Sequence, residues 1–163
     1  MQFKNEISEE VNRRVTGLCN RIEAKHINGI IELVPTFASL TVFYDCTIIS
    51  SKKLKKKIKS LINGGECDVK STAKVWNIPV CYDDEFALDM KNVCSHTALE
   101  REEVIKLHTS KPYLIYMLGF LPGFAYLGGM DERLFTPRLK TPRLEIFEGA
   151  VGIGGEQTGI YPI

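Results

Sequence analysis

Two arginines five residues apart are the first groups in this chain with a clear chemical use. They stand in a tandem, Thr136-Pro137-Arg138-Leu139-Lys140 followed by Thr141-Pro142-Arg143-Leu144-Glu145. Each Pro-Arg unit favours extended backbone, and each guanidinium can take a carboxylate or phosphate through two parallel N–H donors. Surface ion pairing uses the same residues, and the sequence leaves both uses open. Downstream, Gly149 to Pro162 reads G-A-V-G-I-G-G-E-Q-T-G-I-Y-P. Its glycines allow close backbone approach, while Glu156, Gln157, Thr158 and Tyr161 carry polar groups at an expected turn. That mixture suits a ligand-facing turn and equally a tight barrel corner. Upstream, Gly119 to Gly129 carries Phe120, Phe124 and Tyr126 between four glycines and Pro122. No regular helix can form there, so the rings either wall a pocket or pack in a rigid loop. His96, just before an expected helix, is the candidate for proton transfer. His26 and His108 have no comparable context.

Other chemistries have no footing. The chain has no G-x-S-x-G elbow, no H-E-x-x-H and no G-x-x-x-x-G-K-[ST] loop, so any ATP used nearby is not held by a phosphate loop of this sequence. Cys19, Cys46, Cys67, Cys81 and Cys94 are scattered, and only Cys94 and His96 approach metal-ligand spacing. Buried free thiols are therefore expected, with no metal. The formal net charge of +1 argues against a dedicated nucleic-acid binder. The apolar runs are too short for a membrane span, and Met1 to Glu6 lacks the apolar core of a signal peptide. A cytoplasmic location is expected. Six lysines between Lys52 and Lys59 read as the solvated face of a helix.

The elements that must position these groups fall into two textures. Ser8 with Glu9 and Glu10 predicts a capped helix over 9–25, with Val11, Val15, Leu18 and Ile22 on one face. Strands are expected at Ile30–Val34 and Leu40–Tyr44. A second helix follows Ser50 or Ser51, with Leu54, Ile58, Leu61 and Ile62 inward and Gly64-Gly65 as its stop. Val75–Tyr82, interrupted by Pro79, reads as an edge strand. This α-β-β-α-β order predicts a two-layer α+β domain over 1–75, which one more strand before Ser8 would close better. Beyond it, Asp89–Cys94 can make one or two helical turns. Thr97 and Glu100 form a T-x-x-E box for a helix reaching about His108. Tyr113–Leu118, Glu145–Phe147 and Val151–Ile153 read as β segments among glycines and prolines. A mainly-β domain, sandwich or barrel, is expected over 76–163.

Taken together, Glu32 to Thr36, Ser95-His96-Thr97, Gly119 to Gly129, Thr136-Pro137-Arg138, Pro142-Arg143 and Gly149 to Pro162 resemble the 5-oxoprolinase B-subunit family. That family is also labelled allophanate hydrolase subunit 1 or Kip-type sporulation-kinase inhibitor. The resemblance implies a cyclophilin-like barrel after the α/β domain, incomplete here because relatives continue past Tyr161-Pro162. It implies a subunit that acts with a sister barrel subunit and a third subunit in ATP-dependent hydrolysis of 5-oxoproline (pyroglutamate) to glutamate. The family's other role is binding a sporulation histidine kinase and blocking its autophosphorylation. Asp83-Asp84 and Ala87-Leu88 depart from the family's usual Gly-Gly and Gly-Pro. Under the enzyme reading, Arg138 or Arg143 would hold the substrate carboxylate. Gln157 and Thr158 would bond the lactam, Phe120, Phe124, Tyr126 and Tyr161 would line the pocket, and His96 would move the proton.

Overall fold

The structure is a computed structural model and describes residues 1–4, 6–62 and 74–162. The chain divides into two compact units, Met1–Thr72 and Ala73–Ile163. The expected helix stop at Gly64-Gly65, and Cys67, lie outside the described residues.

In the first unit, α1 (Glu9–Ala24) begins where the Ser8 side chain accepts the Val11 amide at 3.2 Å, with Glu9 and Glu10 in the first turn. Its 3.6-residue repeat buries Val11, Val15, Leu18 and Ile22. Strands β1 (Ile30–Pro35) and β2 (Leu40–Tyr44) pair antiparallel, with an irregularity between Ile30 and Glu32. The closing strand expected before Ser8 takes the form of an extended N-terminus. Gln2 bridges Ser39, the Phe3 amide donates to Ala38, and the Leu40 amide donates to the Met1 carbonyl. Helix α2 (Ser51–Ile62) completes the layer, and Leu54 and Ile58 join Val15, Leu18, Ile22, Leu40 and Ile49 in the core. Gly29 links α1 to β1 at φ +95°, and a Cβ there would stand 2.7 Å from Ile49 Cγ2. No larger residue fits that turn.

The second unit opens without the expected strand. Val75–Tyr82 pairs with no neighbour among the described residues, and side chains hold its end instead. Arg101 donates to both the Tyr82 carbonyl and the Asp84 carboxylate. Helix α3 (Met90–Thr97) ends at Ala98, which takes the left-handed conformation at φ 55°. Helix α4 (Arg101–Thr109) therefore starts later than the T-x-x-E spacing predicts. Glu100 is its N-cap and Glu103 completes the box, while the Thr97 hydroxyl donates back to Val93 at 2.8 Å inside α3. The left-handed break at Ala98 separates Thr97 from the next helix and explains the shift.

Four antiparallel strands follow: β3 (Leu114–Leu118), β4 (Ala125–Gly128), β5 (Val151–Gly154) and β6 (Gln157–Ile160), in the order β3-β4-β6-β5. Strands β4 and β6 lie in stretches that the sequence reads as loop and turn. Dense glycine hid their pairing. Glu145–Phe147, expected to be β, joins no strand and is exposed. A 3₁₀ turn at Glu132–Leu134, capped by Asp131, puts Leu134 into a core with Val104 and Met130. The sheet is open, with β3 and β5 at its edges, as an incomplete barrel would be. Among the described residues no helix is long and apolar enough to cross a membrane.

Candidate functional site

The β5–β6 hairpin turns at Gly155, whose φ is +67°. Its amide donates to the Thr136 carbonyl at 2.7 Å, which holds the first Thr-Pro-Arg unit beside the hairpin. Directly opposed residues of an antiparallel pair project to the same face, and successive residues alternate. Gly154 faces Gln157, Gly152 faces Gly159, and Tyr126 of β4 faces Gly159. All five therefore share one face, and three of them have no side chain.

Other groups fill the hollow left by those glycines. Arg138 runs over Gly154, where an added Cβ would stand 3.2 Å from its Nε. Phe124 packs on Gly159, where a Cβ would stand 2.8 Å from Cζ, and Tyr161 lies over Gly152 at 3.6 Å by the same measure. The rings interlock edge to face: Phe124 meets Tyr126 at 4.9 Å and Tyr161 at 5.0 Å, and Phe120 meets Phe124 at 5.7 Å. Phe120 is 72% exposed and left-handed at φ 69°. Two donors on this face have no partner among the described residues, one buried and one exposed to solvent. Gln157 Nε2 is buried with no hydrogen-bond partner, and no carboxylate among the described residues pairs with Arg138. Six of the residues singled out from sequence thus meet on one surface: Arg138, Gln157, Phe120, Phe124, Tyr126 and Tyr161.

The other three do not join them. Arg143 ion-pairs with Asp89 at 2.5 Å, so a ligand carboxylate would have to displace an internal one. His96 is exposed in the last turn of α3, and its imidazole makes no hydrogen bond to another described residue. Thr158 is buried and, one residue on from Gln157, points to the reverse face. There its hydroxyl donates to the Gly152 carbonyl at 3.0 Å and lies 3.1 Å from His108 Nε2. Because that hydroxyl has one proton and spends it on Gly152, His108 Nε2 must be the donor to Thr158. Nδ1 is then bare and accepts from the Tyr82 hydroxyl at 2.6 Å. The neutral imidazole is thus held in one tautomer by a run of donors from Tyr82 through His108 and Thr158 to Gly152.

Burial of this cluster sets its titration. Loss of solvent lowers the His108 pKa and raises that of Tyr82. Tyr113, whose hydroxyl donates to the His108 carbonyl at 2.8 Å, is pushed up to about 12 by burial first, then by Tyr82 and Asp131. His108 has little in the sequence to mark it. Its one signal is its position four residues after Val104, on the inward face of α4. The expectation of buried thiols holds for Cys19, whereas Cys46 and Cys81 are exposed because each sits in irregular chain outside the core. Among the described residues no three His, Cys, Asp or Glu side chains converge to hold a metal ion.

Comparison with known proteins shows the family. The model of the carboxyltransferase domain, subdomain C and D, matches residues 1–163. A Bacillus subtilis protein named as the B-subunit of 5-oxoprolinase is 42% identical over 174 residues, covering all of this chain and 72% of that protein. The chain belongs to the 5-oxoprolinase B-subunit family. Among solved structures, family resemblance extends to TTHA0988, which is 34% identical with a TM-score of 0.85 and covers all of this chain. This chain spans only 32% of TTHA0988. Kluyveromyces lactis urea carboxylase, at 20% identity and a TM-score of 0.74, covers 96% of this chain and shares its fold; the chain spans 16% of that enzyme.

Proposed function

We propose that this chain is a non-autonomous subunit of an ATP-dependent 5-oxoprolinase, working with a sister barrel subunit and a third subunit. In this reading the open sheet is part of a cyclophilin-like barrel. The observation that carries it is the juxtaposition of the exposed, carboxylate-free Arg138 and the buried, unpartnered Gln157 Nε2 over a glycine floor walled by aromatic rings, in a relative of proteins named as 5-oxoprolinase B-subunits. A small lactam acid offers what such a surface lacks. Its carboxylate suits the Arg138 guanidinium, its lactam carbonyl can accept from Gln157 Nε2 once binding uncovers that buried group, and its ring packs against Phe124, Tyr126 and Tyr161.

This surface binds and orients. Among the described residues it has no imidazole placed to drive the cleavage, because His108 is neutral and engaged on the reverse face. Opening the lactam breaks its C–N bond, adds the oxygen of water to the carbonyl carbon and protonates the nitrogen. The energy for that step comes from ATP bound elsewhere in the assembly. Reconstitution with and without this subunit, measuring glutamate release, tests the reading. Turnover is expected only in the complete, ATP-supplied mixture, and turnover that persists without this subunit overturns it. In the same assay His96→Ala lowers kcat more than it raises KM if His96 moves a proton.

A second reading, inhibition of a histidine kinase, draws on the exposed tip formed by Phe120 and Leu121, 72% and 44% exposed. An aromatic anchor of this kind suits a pocket on a helical bundle. Loss of kinase inhibition in Leu121→Asp, with 5-oxoprolinase turnover unaffected, would favour it.

A further inference from the structure

Helix α2 breaks local rules that α1 obeys. Helix α1 has acidic residues in its first turn, a basic one in its last, and an Arg13–Glu9 ion pair one turn apart at 2.6 Å. Helix α2 has no acidic residue at all, and Lys52 and Lys53 stand in its first turn, where unpaired backbone N–H groups are already positive. Lys52 repels Lys56, Lys53 repels Lys57, and Lys55 repels Lys59, each pair one turn apart. All six lysines are exposed, and none pairs with a carboxylate among the described residues. At about 100° per residue they fan over an arc of about 200°, opposite buried Leu54 and Ile58. A surface that costs the helix local stability points to a use outside it.

We propose that the lysine face of α2 docks against an acidic face of another protein subunit. Three observations favour that occupant over other anions. The apolar side of α2 is largely spent in the core, with Leu54 and Ile58 only 4% and 5% exposed. Ile62, expected to point inward, is 37% exposed because it ends the helix, and one such residue is too little to insert into a lipid surface. No aromatic residue stands between Ser51 and Ile62 to stack on bases. Outside these six lysines, the sequence of the first unit carries 6 basic residues against 8 acidic ones, so the rest of that unit offers a polyanion no net attraction beyond the helix itself, about 18 Å. A folded partner presents a bounded acidic patch of helix size. Lysines act there as hydrated point charges that steer encounter and set orientation.

The inference rests on the reading above that the chain works in an assembly, and its test separates the two. Assembly of this chain with the other two proposed subunits is titrated from about 50 to 300 mM salt, across the range where screening tightens. The triple variant Lys52→Gln, Lys56→Gln and Lys59→Gln is expected to weaken assembly at least about tenfold at low salt and to flatten its salt dependence. The triple Lys→Arg variant keeps both. The thermal midpoint of the isolated Gln variant stays level or rises, because repulsion has been removed. Assembly with unchanged affinity and salt slope overturns the docking face and leaves the subunit reading standing. A wild-type chain that does not assemble overturns both. A Gln variant that assembles normally but loses binding to duplex DNA or phosphatidylglycerol vesicles assigns the face to another anion. Lost assembly together with a lowered midpoint marks the lysines as structural and ends the proposal.

Discussion

His108 Nε2 donates to the Thr158 hydroxyl across 3.1 Å, joining α4 to β6 through residues 50 apart in sequence. Thr158 passes its own proton to the Gly152 carbonyl, so one hydroxyl ties a helix to both strands of the hairpin that carries Gln157. The floor of the candidate site is thus pinned from behind.

That pin has a measurable worth. Thr158→Val keeps the shape of the side chain and leaves a buried imidazole N–H without an acceptor. The expected loss is about 1–3 kcal/mol in denaturant unfolding. A variant as stable as the parent would show that the donor run does not form.

Stability should also follow the titration of the same cluster. Burial lowers the His108 pKa below its ordinary 6.5, so the unfolded chain binds a proton more readily than the folded one. The stabilisation is whole above pH 6.5 and is lost as pH falls through the lowered folded value. At the alkaline end Tyr113 ionises at its ordinary 10 when unfolded and at about 12 when folded, so stability declines as pH rises above 10. Unfolding midpoints across pH, compared between the wild type and His108→Gln and Tyr113→Phe, check each limb. A limb that survives its own substitution belongs to another group.

Tyr116 lies across Gly128, where an added Cβ would fall 1.5 Å from the ring. Gly128→Ala should cost about 3 kcal/mol, the upper end for overpacking, because neither backbone nor buried ring can yield cheaply. Tyr116→Leu in the same chain should recover part of that loss. Strict additivity of the two changes in thermal unfolding would mean that the ring and the glycine do not touch.

The left-handed Phe120 offers a cleaner comparison of two variants that both delete the ring. At φ 69°, Phe120→Gly should be more stable than Phe120→Ala by about 1–2 kcal/mol, since only glycine adopts that conformation freely. Equal stabilities would place residue 120 in ordinary backbone.

The substrate role proposed for the glycine-floored face is tested by titrating 5-oxoproline into the chain. Arg138→Ala should weaken binding by about 1.5–3 kcal/mol with the fold intact, as expected for a lost charge-assisted contact. Gln157→Glu, which sets a carboxylate where the donor stood, should weaken it further. Arg143→Ala should change affinity less, because that guanidinium already serves Asp89. The opposite ranking of the two arginines would move the site.

Local sequence determined the elements whose signals repeat within one or two turns. Val11, Val15, Leu18 and Ile22 declared α1, Leu54 and Ile58 declared α2, and Pro35 closed β1, because helical spacing and backbone restriction act over a few residues. The residue types of the candidate surface were legible too, since guanidinium, amide and aromatic ring carry their chemistry wherever they stand. Their partners were not. Whether Arg138 or Arg143 is left free depended on Asp89, 54 residues before Arg143. Gln157 and Thr158, adjacent in sequence, were parted by the strand's two-residue alternation once Gly155 turned the hairpin. His108 acquired its tautomer only when Tyr82 and Thr158 closed on it from opposite directions. Pairing register and burial between distant segments decide such matters, and no short stretch of sequence contains them.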